Sequence, residues 1–283
     1  MIVLIGTVPY TTGLYRGEAA IEGKSLRVNN ALFPVERGSA AMAAACAKVC
    51  EFYGLEKPQC IFGGDTGDGQ GTDLMFQEAI GKLDKYDPTV IVLHYLFPKI
   101  VYGLPLVRKI KSLAQKPQLI ADAGGMYLMK VVNQAGCFDV FTPDEGELYF
   151  LADEFAPHPL YVRSQLVQEK ISREKLIERA YQNKNTAVIT VVKGAVDTIY
   201  QNGIKQKDLS APDLAAMEAI GGTGDTITGM LAALRFRGEA DADYKALHLN
   251  RLIGKMINCN AATQINAFIE AIPRALESYE KNI

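Results

Sequence analysis

No run of apolar residues in the chain is long enough to span a bilayer, which leaves no expectation of a membrane partner. The start, Met1-Ile2-Val3-Leu4-Ile5-Gly6, has no basic flank, and its apolar stretch is too short for a secretory leader. Charge of one sign is also missing. The formal net charge is −2 with lysine and arginine scattered, so no basic patch offers itself to nucleic acid. The cysteines Cys46, Cys50, Cys60, Cys137 and Cys259 are odd in number and form no Cys-x-x-Cys pair. Cys46 and Cys50 share a helix face among alanines, a setting that suits small core residues better than metal ligands. Internal repeats, low-complexity tracts and an interdomain linker are likewise absent. These absences lead to the expectation of a reduced, cytoplasmic protein of one domain spanning residues 1–283.

What is present is an alternation. Apolar, β-branched runs at 2–5, 59–62, 89–93, 118–121, 139–142 and 187–192 are bounded by turn residues. Helix-period stretches at 38–53, 72–85, 104–115, 126–134 and 173–183 separate most of them. Buried strands alternating with amphipathic helices predict an α/β fold, a mostly parallel sheet covered on both faces. After Val192 the pattern changes to a hairpin, 197–201 with 203–208 around Asn202-Gly203, and then to helices at 225–236, 244–268 and 273–281. Two segments interrupt the alternation. Residues 10–37 carry short strand-like pieces, 19–22 and 25–28, around Gly23-Lys24, and are expected to form a hairpin lid or an arm to another copy in a homo-oligomer. Residues 156–168, opened by Pro157-His158-Pro159, look like a surface insertion.

The most informative stretch is Gly221-Gly222-Thr223-Gly224-Asp225, a glycine-rich turn running into an apolar helix. Glycines here let backbone N–H groups and the positive end of the helix approach an anion such as a phosphate. A carboxylate beside that nest repels the anion unless it has another task, such as taking a proton from a hydroxyl. An anion hole with a built-in base is what phosphoryl transfer needs. A plain helix N-cap with turn glycines is the alternative reading of the same residues.

Ligands of open α/β sheets sit beyond the carboxyl ends of the strands, so the other strand ends are candidates too. The strand at 59–62 runs into Gly63-Gly64-Asp65-Thr66-Gly67-Asp68-Gly69, a loop suited to wrapping a polar ligand, or else an acidic surface loop. His94 follows the strand at 89–93 and reads either as a substrate contact or as a satisfied structural residue. Asp122 ends the strand at 118–121. Asp144 and Glu147, one helical turn apart, offer hard oxygen ligands to Mg²⁺, or else complement a helix dipole. Lys193 and Gly194 end the strand at 187–192, where a lysine reaches a nucleotide phosphate or remains a solvated edge charge.

Taken in order, Gly64-Asp65-Thr66-Gly67-Asp68-Gly69, Thr142-Pro143-Asp144-Glu145-Gly146-Glu147, Val192-Lys193-Gly194-Ala195 and Gly222-Thr223-Gly224-Asp225 resemble the ribokinase-like superfamily. Within it they look most like the ATP- or ADP-dependent NAD(P)H-hydrate dehydratases. The resemblance implies a three-layer α/β/α fold and a small hydroxyl-bearing substrate. It implies Asp225 as catalytic base and Gly222, Thr223 and Gly224 as the anion hole. Lys193, Gly194 and Thr198 would lie at the nucleotide, and Gly64, Asp65, Gly67, Asp122 and Asp144 at the substrate, with Mg²⁺ on Asp144 and Glu147. Where these dehydratases carry Pro-His, this chain has Pro143-Asp144, and Asp144-x-x-Glu147 is similar to the Asn-x-x-Glu of the superfamily's kinases. A small-molecule kinase and a nucleotide-binding module without turnover therefore stand as alternatives.

Overall fold

Strand β1 (Ile2–Val8) shows how the sheet is built: Ile2 and Leu4 face one hydrophobic core, Val3 and Ile5 the other, and all four are fully buried. Period-two alternation with both faces apolar is the signature of a central parallel strand. The computed structural model describes residues 1–162 and 171–281. In it β1 lies between β5 (Gln59–Gly64) and β6 (Val90–Leu93), parallel to both, and β7 (Gln118–Ala121), β8 (Val140–Phe141) and β9 (Ile189–Val192) continue the parallel set outward. Beyond β9 the hairpin β10 (Asp197–Gln201) and β11 (Ile204–Leu209) adds two antiparallel strands. Its turn is the one expected, with Asn202 and Gly203 both at positive φ, 51° and 80°.

On the opposite edge, residues 10–37 extend the sheet. The first part of β2 (Gly13–Glu22) pairs antiparallel with β5, and its last part pairs with β3 (Ser25–Val28), which pairs with β4 (Ala31–Pro34). The turn at Gly23-Lys24 is present, with Gly23 at φ 58°. Edge-to-face packing of Tyr10, Tyr15 and Phe33 anchors this ribbon to the core through Phe62.

Helices cover both faces. One layer holds α1 (Gly38–Phe52), α7 (Thr223–Arg237), α8 (Ala242–Met256) and α9 (Ile265–Glu280). The other holds α2 (Gln70–Lys82), α3 (Ile100–Lys111) and α4 (Gly124–Val131). Beside β9, α5 (Glu145–Ala152) and α6 (Arg173–Gln182) enclose a smaller core with Val192 and Tyr200. The alanines of α1 let it approach α7 closely: a Cβ on Gly229 would lie 2.1 Å from the Met42 carbonyl oxygen. This contact brings the first residues of α1 and α7 together at the carboxyl ends of the strands.

The C-terminal helices depart from expectation. The break falls between α8 and α9 rather than before Pro273. Asn258 takes φ 48°, the Asn260 carboxamide oxygen accepts from Ala262 N at 2.9 Å, and Asn260 N donates to Thr263 Oγ1 at 2.9 Å. These side-chain bonds replace the helical ladder with a turn. Pro273 lies inside α9, so proline did not mark the boundary. Of the insertion expected at 156–168, Pro159–Tyr161 form a short 3₁₀ turn, while residues 163–168 lie outside the described residues. Among the described residues, no helix is long and apolar enough to cross a membrane.

Candidate active site

Three parallel strands deliver one side chain each to the same point just past their carboxyl ends: His94 after β6, Asp122 after β7 and Lys193 after β9. The first turn of α7 adds Asp225. Lys193 Nζ lies 3.1 Å from both carboxylate oxygens of Asp122. Thr228, one turn along α7 from Asp225, donates to Asp122 Oδ2 at 2.7 Å and exchanges a 3.0 Å hydrogen bond with Thr142. His94 is fully buried, its Nε2 3.2 Å from Asp225 Oδ1 and 3.6 Å from Asp122 Oδ2, without a well-aligned hydrogen bond to either. The other Asp225 oxygen accepts from Gly38 N, the first amide of α1, at 2.5 Å. Arg37, the N-cap of that helix, supplies no capping side chain, so Asp225 caps a second helix as well as opening its own.

The electrostatics follow from this packing. Burial works against the His94 imidazolium, but Asp122 and Asp225 outweigh it and hold the group up at about 9. Burial likewise opposes ionised Asp122, and the Lys193 and His94 charges with the Thr228 hydrogen bond keep it well below the usual carboxylate range. Lys193 is held above its usual range because Asp122 and Glu147 overcome its own desolvation. Glu147 goes the other way. Burial pushes its carboxyl up to about 7, with Asp122 and Asp144 adding to the effect against Lys193.

Asp122, Glu147, Lys193 and Asp225 border an open cavity of about 450 Å³, with His94 buried behind them. Gly222, Thr223 and Gly224 line it together with Asp225, Asp122, Asp144, Glu147, Lys193 and Gly194. Gly222, the N-cap of α7, has φ 99°, where a side chain would be strained. The Thr223 hydroxyl donates back to the Ile220 carbonyl at 3.2 Å and so shapes the turn. Lys193 Nζ packs over Gly224, 3.2 Å from where a Cβ would stand. Asp144 and Glu147 form a reciprocal capping box on α5, with Glu147 N donating to Asp144 Oδ1 at 2.7 Å and Asp144 N to Glu147 Oε2 at 2.9 Å. Tyr127 donates to Glu147 Oε1 at 2.6 Å.

Four of the expected site residues are not among those lining this cavity: Gly64, Asp65, Gly67 and Thr198. Asp65 is turned inward, accepting from Gly67 N and Gly69 N at 3.0 Å and from Thr72 N and Oγ1 at 3.0 and 3.1 Å. Thr198 is buried in β10, where its hydroxyl accepts from Arg173 Nη1 at 2.8 Å.

Other residues at the cavity were not singled out by sequence. Arg251 donates from Nε to Asp197 Oδ2 at 2.7 Å and from Nη2 to the Gly194 and Ala195 carbonyls at 2.9 Å, fixing the turn after β9. Its only sequence signal is a charged residue within the buried stripe Leu247, Asn250, Arg251, Gly254 of α8. Ala123, beside Asp122, takes φ 45° and ψ −129°, a strained conformation for a residue with a Cβ. Tyr95 and Arg37 also line the cavity.

The family model described as NAD(P)H-hydrate dehydratase matches residues 72–274, a stretch that includes every member of the His94–Asp122–Lys193–Asp225 cluster. The chain belongs to the NAD(P)H-hydrate dehydratase family. It is 40% identical over 243 residues to the uncharacterized protein MJ1337 of Methanocaldococcus jannaschii, covering 84% of this chain and 99% of that one. It is 27% identical over 173 residues to the bifunctional NAD(P)H-hydrate repair enzyme Nnr of Pyrobaculum aerophilum, covering 60% of this chain but 31% of that longer protein. Among solved structures, a ribokinase-like superfamily protein of Enterococcus faecalis superposes with a TM-score of 0.60 at 17% identity, covering 98% of this chain and 86% of that one. The fold is ribokinase-like, as the motif resemblance implied, and the chain is that of an enzyme of this superfamily.

Proposed function

We propose that the protein is a nucleotide-dependent phosphotransfer enzyme of the NAD(P)H-hydrate dehydratase kind, using ATP or ADP to act on a hydrated reduced nicotinamide. One observation carries the reading: Asp225 stands at the mouth of a helix N-terminus, behind the Gly222–Thr223–Gly224 turn, with its carboxylate at the cavity wall. His94 Nε2 on one side and the Gly38 amide on the other fix the position of that carboxylate, and a base must be so placed to meet the substrate hydroxyl. Asp225 takes the substrate hydroxyl proton as that oxygen bonds to the terminal phosphorus and the bridge to the leaving nucleotide breaks. Backbone N–H groups of the turn receive the charge on the phosphoryl oxygens. The ring nitrogen's electron pair then expels inorganic phosphate as the carbon–oxygen bond breaks, and the adjacent ring carbon loses a proton to solvent, restoring the dihydronicotinamide. Lys193 directs a remaining N–H toward the nucleotide phosphates while Asp122 holds it in place.

The donor chemistry at Asp144 and Glu147 fits Mg²⁺. The capping box uses one Asp144 oxygen, and Glu147 is a carboxyl held near neutrality by burial among other acids, an environment a divalent cation relieves. Mg²⁺ held there would supply positive charge against the phosphates.

The test mixes the protein with ATP or ADP and either hydrated NADH or hydrated NADPH, following the reduced-nicotinamide absorbance. Recovery of absorbance coupled to nucleotide turnover is expected. A parallel panel of sugars and vitamin alcohols reads the kinase alternative, which Asp144-x-x-Glu147 favours. Nucleotide turnover there, with none on the hydrates, overturns the dehydratase assignment and keeps phosphotransfer.

A further inference from the structure

The His94 side chain is fully buried, and its Nε2 has two carboxylate oxygens within 3.6 Å but no aligned acceptor of its own. The other ring nitrogen, Nδ1, lies 3.4 Å from Ser39 Oγ on α1. The groups facing the ring are Ser39 from α1, Tyr95 from the loop after β6, Asp122 from β7 and Asp225 from α7, with Lys193 of β9 behind Asp122. Counted as ionised, Asp122, Asp225 and Lys193 leave one negative charge uncompensated in a buried cluster, a costly arrangement without a further cation. The imidazole is the group in position to supply it.

We infer that His94 is a positioning residue that works as an imidazolium, wedged between Asp122 and Asp225 so that the reactive carboxylate is held toward the cavity and joined to the Asp122–Lys193 pair. In this arrangement Nδ1–H points to Ser39 Oγ and Nε2–H is shared between the two carboxylates. His94 touches neither substrate nor nucleotide. It fixes which way Asp225 faces, and the surrounding charges support an imidazole proton that persists to about pH 9. The sign follows for stability. A histidine whose folded value is raised contributes fully below its unfolded value of about 6.5, and the contribution is lost as pH rises through about 9.

The kinetic consequence rests on the proposed function, but the protonation state does not, so the two are read separately. Proton NMR of the imidazole C–H signals, assigned with His94→Gln, His158→Gln and His248→Gln, follows the three histidines from pH 5 to 10. His94 is expected to stay protonated through neutral pH and titrate near 9, with Asp225→Asn moving its titration to lower pH. Asp225→Asn also covers the case in which His94→Gln fails to fold. A His94 that is neutral at pH 7 overturns the inference whether or not any substrate turns over. So does Mn²⁺ or Zn²⁺ binding at micromolar concentration with loss of the His94 signal, since a metal would then occupy His94, Asp122 and Asp225, whose ligand atoms lie within 4.8 Å of one another. In rate assays His94→Gln is expected to lower kcat by roughly 10–100-fold with KM little changed, the scale of losing a group that orients a reacting one. It should also remove an alkaline limb present near pH 9 in the parent. A parent profile without that limb, or an unchanged kcat in a folded His94→Gln protein, refutes the positioning role.

Discussion

Two helix starts in this molecule carry the same residues, glycines around an aspartate with a lysine packed on top, and use the aspartate differently. In the turn between β5 and α2, all the hydrogen bonds to the Asp65 carboxylate come from its own loop and helix, through Gly67, Gly69 and Thr72. Lys99 covers Gly69 there and pairs with Asp73 at 2.7 Å. In the turn before α7, Asp225 takes its partners from elsewhere in the chain, Gly38 of α1 and His94 beyond β6. Lys193, packed over Gly224, is tied to Asp122 on another strand. An aspartate that satisfies its own loop is a staple. One whose partners arrive from other elements is left with a face to the cavity.

The widest gap between the two turns is kinetic. Asp225→Asn keeps size and the capping oxygen but takes no proton, and turnover is expected to fall by about 10²–10⁴, with the fold retained and nucleotide affinity nearly preserved. Rates, thermal melts and nucleotide titrations on one preparation check this, and near-parental turnover in a folded variant collapses the distinction. Asp65→Ala is the mirror case, removing an acceptor of four bonds. Loss of roughly 2–3 kcal/mol of stability with kcat nearly unchanged is expected from denaturant unfolding and steady-state assays. Because its loop amides, working against burial, hold the Asp65 carboxyl low, this contribution is present above its unfolded value of about 3.9 and disappears as pH falls through the lower folded value.

The lysines sharpen the contrast further. Lys193→Ala should weaken ATP or ADP binding by roughly 1.5–3 kcal/mol, one charge-assisted contact, while Lys99→Ala leaves it unchanged; equal effects in calorimetric titration would move the nucleotide off the α7 turn. The smallest effect concerns backbone strain. Ala123→Gly relieves a positive φ beside Asp122 and should raise stability by about 0.5–1 kcal/mol, visible as a small rise in melting temperature. A fall in melting temperature would show that Ala123 is not under strain.

The likeness of the two turns explains how far each was legible in sequence. The strands of the core were readable because both faces are buried, so that Val90–Leu93 stands out as an unbroken apolar run. The first half of β2 was not, since Gly13-Leu14-Tyr15-Arg16 alternates weakly on an edge ribbon. Asp122, Lys193 and Asp225 were found because chemistry in such sheets gathers at strand ends and helix starts. Asp65 met the same criteria, and nothing local says that its carboxylate is already engaged. His94 stayed ambiguous because its partners lie on other strands and helices, and Arg251 was invisible because its acceptors are carbonyls brought near only by the fold. Carboxylate direction is a tertiary property.

The close seating of Gly229 against the Met42 carbonyl has a consequence for synthesis on the ribosome. It is the contact through which a helix made early, α1, meets one made late, α7, and it lies one helical turn from Asp225. A nascent chain that has not yet emerged past α7 carries His94, Asp122 and Lys193 without Asp225 among them. The cluster is therefore completed only when the strip of alanines in α1 receives Gly229 of a helix made later.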